Sequence, residues 1–391
     1  MRNRTFSHKK HIKTRTFSEK NRIFLILVKN TIKDLWEIFV LFATILLIGG
    51  MGMKLTIRQI AEMAGVSITT VSQILNNKGS RFSEETRKRV LDIVNEYQYK
   101  PDFFASNLIN RHSKTIGMIV PEVTDLFFTK IVEGAESYLD PLGYMLVLCH
   151  SQQDPEKEIK FLDELAHRSV DGVLLATPNL IPEELRKNNR YRDQMPLILI
   201  DRGINQRDRG RIIIKEYEAC YQTIIYLAQQ GHRKIGMLQE QTGYYQLEER
   251  LNGYKGALKD LNIPYNKNQI VSGELTVRGG YLATKQLLAQ DDSITAIFCA
   301  NDAMAMGCYQ ALFELGKKVP TDISVVGFDG LSLTESMVPP LTTIAQPIFE
   351  IGYTAAKFLV DAIEYPNNEI PNKVFNTKLI IRESVRPLTK E

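Results

Sequence analysis

Apolar and polar positions follow more than one rhythm along this chain. From Thr56 to Asn76 the rhythm is helical and short. Ile57, Ile60, Ala61 and Ala64 recur at helical spacing and predict a helix with one apolar face. Thr56 is placed to cap its start. Gly65 supplies a tight turn, because two crossing helices need a residue that accepts unusual dihedrals. Ser67 is placed to cap a second helix. There Val71, Ile74 and Leu75 point inward, and Ile68, Thr69, Thr70, Ser72 and Gln73 are left outside. That outer set is short and uncharged, whereas a merely solvated face more often carries Lys and Glu. The pattern therefore predicts a helix-turn-helix whose second helix reads the DNA major groove.

A third helix follows. Ser83 caps it, with Glu84 and Glu85 in its first turn, and Val90, Leu91, Val94 and Tyr97 are expected to form its buried stripe. Pro101 stops the helix before it. The next nine residues predict a helix of about two turns, marginal in isolation. Further on, apolar runs at 116–120, 145–148, 173–176 and 197–200 read as buried parallel strands, separated by helices such as 130–140 and 156–167. A second series starts at 235–238 and continues at 296–299 and 324–328. Two doubly wound lobes are implied, with a ligand between them at the carboxyl ends of the strands.

Charge changes this picture only when it is split. Of the formal net charge of +4, residues 1–52 contribute ten Lys/Arg against three Asp/Glu, residues 53–112 nine against six, and residues 113–391 thirty against thirty-six. A basic head on an acidic body fits a protein that touches phosphates only through its head. Cys149, Cys220, Cys299 and Cys308 lack metal spacing and read as buried thiols of a reducing cytoplasm. The six histidines do not cluster, and no cofactor is expected. Within the basic leader 1–52, the largely apolar run 38–48 is too short for a span of about 20 residues. Ile48-Gly49-Gly50 can be encoded by a ribosome-binding sequence, so translation is expected to start at Met53 or Met51.

The segments AGVSITTVSQILN, RFSEETRKRV, YKPDFFASNL, KTIGMIVPEVTDLFF, VDGVLLA, IDRG, GHRKIGML, NDAMAMG, VVGFDG and LTTIAQP resemble the lac repressor and ribose repressor family of bacterial transcription regulators, from about Lys54 onward. The resemblance implies an all-α helix-turn-helix head (53–100), a hinge (101–112) and a two-lobed periplasmic-binding-protein-like α/β body (113–391). It implies base reading by Ile68, Thr69 and Gln73. Gln73 can pair bidentately with adenine, and Ile68 can meet a thymine methyl. Ser67, Thr70, Ser72, Asn76, Ser83 and Thr86 would contact phosphates, although capping alone explains the two serines equally well. In the hinge, Leu108 would wedge into the minor groove and Ala105 pack near its twin in a homodimer or larger assembly.

The strand ends gather aromatic faces with acids, amides and arginines, the combination that suits a neutral monosaccharide. The resemblance to ribose repressors and the ribose receptor maps effector contacts onto Asp125, Phe127, Phe128, Asp201, Arg202, Arg250, Asn301, Phe328, Asp329 and Gln346. The receptor has Asn where this chain has Asp125, which could shift specificity to another pentose. Asp302 is expected to cap its helix rather than touch ligand. The partners implied are operator double-stranded DNA and a sugar effector, D-ribose or a related pentose. The alternative is a catabolite-control regulator that answers to a phosphorylated carrier protein or a sugar phosphate. An enzyme is not expected, since there is no Gly-x-x-x-x-Gly-Lys loop, no Gly-x-Ser-x-Gly elbow and no metal set.

Overall fold

The computed structural model describes residues 55–75, 80–99, 112–176, 195–200, 210–240 and 245–388 (side chains from 248 in the last segment). Two compact units separate near residue 106. The leader, Asn76, the hinge with Ala105 and Leu108, and the pair Asp201 and Arg202 lie outside the described residues.

Among the described residues the first unit holds three helices: α1 (Ile57–Ala64), α2 (Ile68–Leu75) and α3 (Glu84–Glu96). Thr56 and Gln59 form a reciprocal capping box at the start of α1. Gly65 ends the helix at φ 65°, the left-handed conformation the turn requires. Ile60, Ala61, Ala64, Val71, Ile74 and Val90 form the core. The third helix departs from expectation. Val90 is buried and Ile93 and Val94 pack beside it, but Leu91 and Tyr97 are exposed. Leu91 sits about 100° around the helix from Val90, and Tyr97 is already the C-cap, so neither reaches the core.

The second unit contains two six-stranded sheets. The first comprises β1 (Thr115–Val120), β2 (Met145–His150), β3 (Gly172–Leu175), β4 (Leu197–Ile200), β5 (Arg211–Ile214) and the late strand β11 (Lys373–Phe375), in the order β11-β5-β4-β3-β1-β2. The second comprises β6 (Ile235–Glu240), β7 (Ile270–Gly273), β8 (Ala296–Cys299), β9 (Ser324–Asp329), β10 (Thr342–Ala345) and β12 (Lys378–Ile380), in the order β12-β10-β9-β8-β6-β7. All pairings are parallel except that of β10 with β12. Strands β1, β3, β8 and β9 are buried along their whole length, which is why they read as unbroken apolar runs. The chain crosses between lobes after β5, after β10 and between β11 and β12.

Helices α4 (Leu126–Leu139), α5 (Pro155–His167) and α10 (Ile348–Glu364) pack with the first sheet. Helices α6 (Glu216–Gln229), α7 (Tyr245–Asp260), α8 (Val277–Gln290) and α9 (Asp302–Glu314) pack with the second. The pairs α4–α10 and α8–α9 meet on glycines. A Cβ on Gly352 would lie 2.0 Å from the Ile131 carbonyl oxygen, and one on Gly307 would lie 1.9 Å from that of Val277. Cys220, Cys299 and Cys308 are buried free thiols as expected, but Cys149 is only half-buried because β2 is an edge strand. No helix among the described residues is long and apolar enough to cross a membrane.

Candidate functional site

In the first unit, α2 turns Ile68 and Thr69 outward, Ile68 being 46% exposed, while Thr70, Ser72 and Gln73 are half-buried. Ser67 Oγ accepts the Thr70 N–H at 3.1 Å, and Ser83 Oγ accepts the Thr86 N–H at 3.2 Å. Both serines are therefore N-caps, each with its hydroxyl also bonded to the threonine three residues on. Gln73 Oε1 has no hydrogen-bond partner among the described residues. A buried acceptor left so costs about 1–3 kcal/mol.

In the second unit, β1 runs out into Asp125, whose carboxylate caps α4 by accepting the Phe127 N–H at 2.9 Å. Burial raises its pKa, and Glu122 adds to the rise. Phe127 and Phe128 follow in edge-to-face contact, with centroids 5.2 Å apart. Phe127 is buried in the core and Phe128 half-buried against it.

The other lobe presents its groups at the ends of β8, β9 and β10. Asn301, rather than Asp302, caps α9: its Oδ1 accepts the Met304 N–H at 2.8 Å and its Nδ2 donates to the Leu275 carbonyl at 3.1 Å. Asp302 instead accepts from Thr343 Oγ1 at 2.6 Å and from the Leu331 N–H at 2.8 Å, and so pins the turn after β9. A side chain at Gly327 would collide with that carboxylate, its Cβ falling 2.2 Å from Oδ1. Burial lifts the Asp302 pKa to about 7.

The pinned turn contains Asp329, which has φ 111° although it is not glycine. Such a conformation costs on the order of 1–3 kcal/mol and persists only where its surroundings enforce it. Gln346 does so: its N–H donates to the Asp329 carbonyl at 3.0 Å and its Nε2 to Oδ1 at 2.7 Å. Burial raises the Asp329 pKa well above the ordinary range, Asp302 and Asp125 raise it further, and Arg250 opposes them. Asp125 thus acts on Asp329 from the opposite lobe, so the two acids belong to one cleft.

Arg250 lies on α7, flat over the Phe328 ring, with its guanidinium carbon 3.7 Å from the centroid. Phe328 is fully buried, so in this structure it supports Arg250 rather than offering a face to ligand. Arg250 Nε and Nη2 donate to the two Glu216 oxygens at 2.6 and 3.2 Å, and Nη1 donates to the Ala300 carbonyl at 2.5 Å. Sequence reasoning missed Glu216. The available signal was its place after the apolar triplet 212–214, the core of strand β5, which no expectation included.

A capped helix pair with an uncharged outer face and a two-lobed cleft lined by acids, amides and an arginine define a ligand-responsive DNA-binding protein. Residues 56–102 match the family model of bacterial regulatory proteins of the lacI family. Residues 113–383 match that of periplasmic binding proteins and the sugar binding domain of the LacI family. The chain belongs to the LacI family of bacterial transcription regulators. It is 36% identical to the HTH-type transcriptional repressor PurR of Vibrio vulnificus over 336 residues, which cover 85% of this chain and 99% of that one. It is 34% identical to the ribose operon repressor of Haemophilus influenzae, with 85% and 99% covered. A ribose-bound LacI family regulator from Enterococcus faecium superposes with TM-score 0.64 at 32% identity, covering 70% of this chain and all of that one. The operator-bound lac repressor dimer superposes with TM-score 0.77 at 26% identity, covering 85% and 99%. The protein is a DNA-binding transcriptional repressor governed by a small-molecule effector, and not an enzyme.

Proposed function

We propose that the cleft takes a neutral pentose, D-ribose or a close relative, and that its occupancy controls the grip of the head on an operator. The observation that carries this is the convergence of Asp125, Arg250, Asn301, Asp329 and Gln346 at the strand ends of two lobes joined by three crossings. Acceptors, donors and amides in that density suit a ligand with a hydroxyl on nearly every carbon. Asp201 and Arg202 would complete the set. A pentose that bridges the lobes binds their closed arrangement more tightly, and that difference is the free energy available to the head.

In this reading the functional chain starts at Met53 and acts in the cytoplasm. A head (53–100), a hinge (101–112) and an effector body (113–391) work as a homodimer on a near-palindromic operator. Ile68, Thr69 and Gln73 read bases. Thr70, Ser72, Asn76 and Thr86, with Ser67 and Ser83, hold phosphates, while Leu108 and Ala105 serve the hinge. Isothermal titration of the purified protein with D-ribose, D-xylose, L-arabinose and D-allose tests the effector. Saturable heat from a pentose, strongest with D-ribose, is the expected result. Silence from every pentose overturns it.

A further inference from the structure

The positive charge of Arg250 does not stand open to a ligand as a charge. The Glu216 carboxylate takes Nε at 2.6 Å and Nη2 at 3.2 Å, and both side chains are about 95% buried. The Ala300 carbonyl takes Nη1, and Phe328 covers one face. The guanidinium is thus a fixed plate of N–H donors whose charge Glu216 balances within the pair. Asp329 lies near enough to feel that charge, and burial holds its pKa well above the ordinary range. Glu216 stands in the first turn of α6, directly after Lys215, whose N–H donates to the Phe375 carbonyl at 3.2 Å where two lobe crossings run side by side.

We propose that Glu216 is the residue that makes this cleft select an uncharged polyol and refuse its phosphate ester. The proposal rests on the reading of the cleft as a polyol site. A phosphate brought to Arg250 meets a cation already paired in a buried setting. The Glu216 carboxylate repels an incoming anion across a low-dielectric site, and the existing bidentate pair must be broken before the guanidinium can serve that anion. A sugar hydroxyl asks for neither: it accepts from the donor plate and donates to the acids. Replacing Glu216 by glutamine leaves a side chain of the same size that can still accept one hydrogen bond, and it restores a net positive charge to Arg250.

The full-length protein is titrated calorimetrically with D-ribose, D-ribose 5-phosphate and inorganic phosphate, as wild type, Glu216→Gln and Glu216→Asp. In the wild type the ester is expected to bind at least 100-fold more weakly than ribose. In Glu216→Gln the ester-to-ribose affinity ratio is expected to rise at least tenfold, with inorganic phosphate binding gained. Glu216→Asp keeps the refusal. A wild type that binds the ester within tenfold of ribose overturns the proposal, as does a folded Glu216→Gln variant with an unchanged ratio. If circular dichroism shows that variant unfolded, the wild-type ratio decides. If ribose itself gives no heat, the pentose reading falls, and the gain of inorganic phosphate binding in Glu216→Gln, or its lack, decides the role of Glu216.

Discussion

At the scale of single residues, the cleft shows how far a sequence can be read and where it stops. Asp125, Arg250, Asn301, Asp329 and Gln346 were legible because each follows an apolar strand or opens a helix, and strand ends are where α/β lobes place ligands. What was not legible is who holds whom. Nothing in the order of residues says that Asn301 takes the cap and leaves Asp302 to tie Thr343 to Leu331, since both lie at a helix start. The sequence separation of 34 between Glu216 and Arg250 hides their pairing in the same way. Asp302 carries a consequence for pH. Burial raises its pKa from an ordinary value near 3.8 to about 7, so the folded state keeps a proton that the unfolded chain has already lost. Unfolding between those values releases a proton, and rising pH therefore favours the unfolded state. Stability from this group is undiminished near pH 4 and declines toward pH 7, by an amount on the order of a few kcal/mol. Asp302→Asn imitates the protonated acid and cannot titrate. Urea unfolding at pH 5.0 and 7.5 is expected to show a smaller drop in the variant than in the wild type, Asp125 and Asp329 being common to both. An identical drop would show that Asp302 is already ionised at pH 5.

At the scale of elements, the buried apolar strands were readable and the more polar late ones were not. Strands β1, β3, β8 and β9 are buried throughout and apolar between their end residues because both faces are covered. Strand β10 opens with two threonines, and β11 and β12 have three residues each and begin with lysine. Their place is fixed by partners far away in the chain, so local pattern carries little of it. The helix pairs carry a second lesson. In α10, Gly352 looks like a weak point by propensity, yet it sits where the Ile131 carbonyl of α4 leaves no room for a methyl group. Gly352→Ala should therefore destabilise the first lobe by about 3 kcal/mol rather than stabilise the helix. Glu133→Ala, on the exposed face of α4, should stay within about 0.5 kcal/mol. Urea midpoints of the two variants check this, and a stabilised Gly352→Ala would mean that the helices can part at no cost. In the head, Gln73 projects from α2 with an Oε1 that lacks a partner among the described residues. If that acceptor is reserved for a base, Gln73→Ala removes about 1–3 kcal/mol of discrimination at one operator position. Competition binding against single-base operator variants reads this directly, and an unchanged preference at every position would assign the glutamine to packing.

At the scale of the whole molecule, a thermodynamic identity ties the effector to the operator. Charge already separates the two tasks along the chain: residues 53–112 carry nine basic and six acidic side chains, and residues 113–391 carry thirty and thirty-six. DNA is thus met by one part and sugar by another, and only conformation can link them. If the sugar alters operator affinity by some factor, the operator must alter sugar affinity by the same factor, whichever direction the effect takes. Couplings of this kind usually amount to about 1–3 kcal/mol, or roughly 5- to 150-fold. The sign is open to either outcome, since an effector that closes the lobes can loosen or tighten the head, but the equality of the two factors is not. Sugar titrations with and without saturating operator, set beside operator titrations with and without saturating sugar, give both numbers at one salt concentration, which must be held fixed because phosphate contacts are salt-dependent. Equal factors different from one are expected. A factor of one in both directions would mean that the cleft and the head ride on the same chain without sharing a conformational equilibrium, and the crossings after β5 and β10 would then have to be read as plain connections.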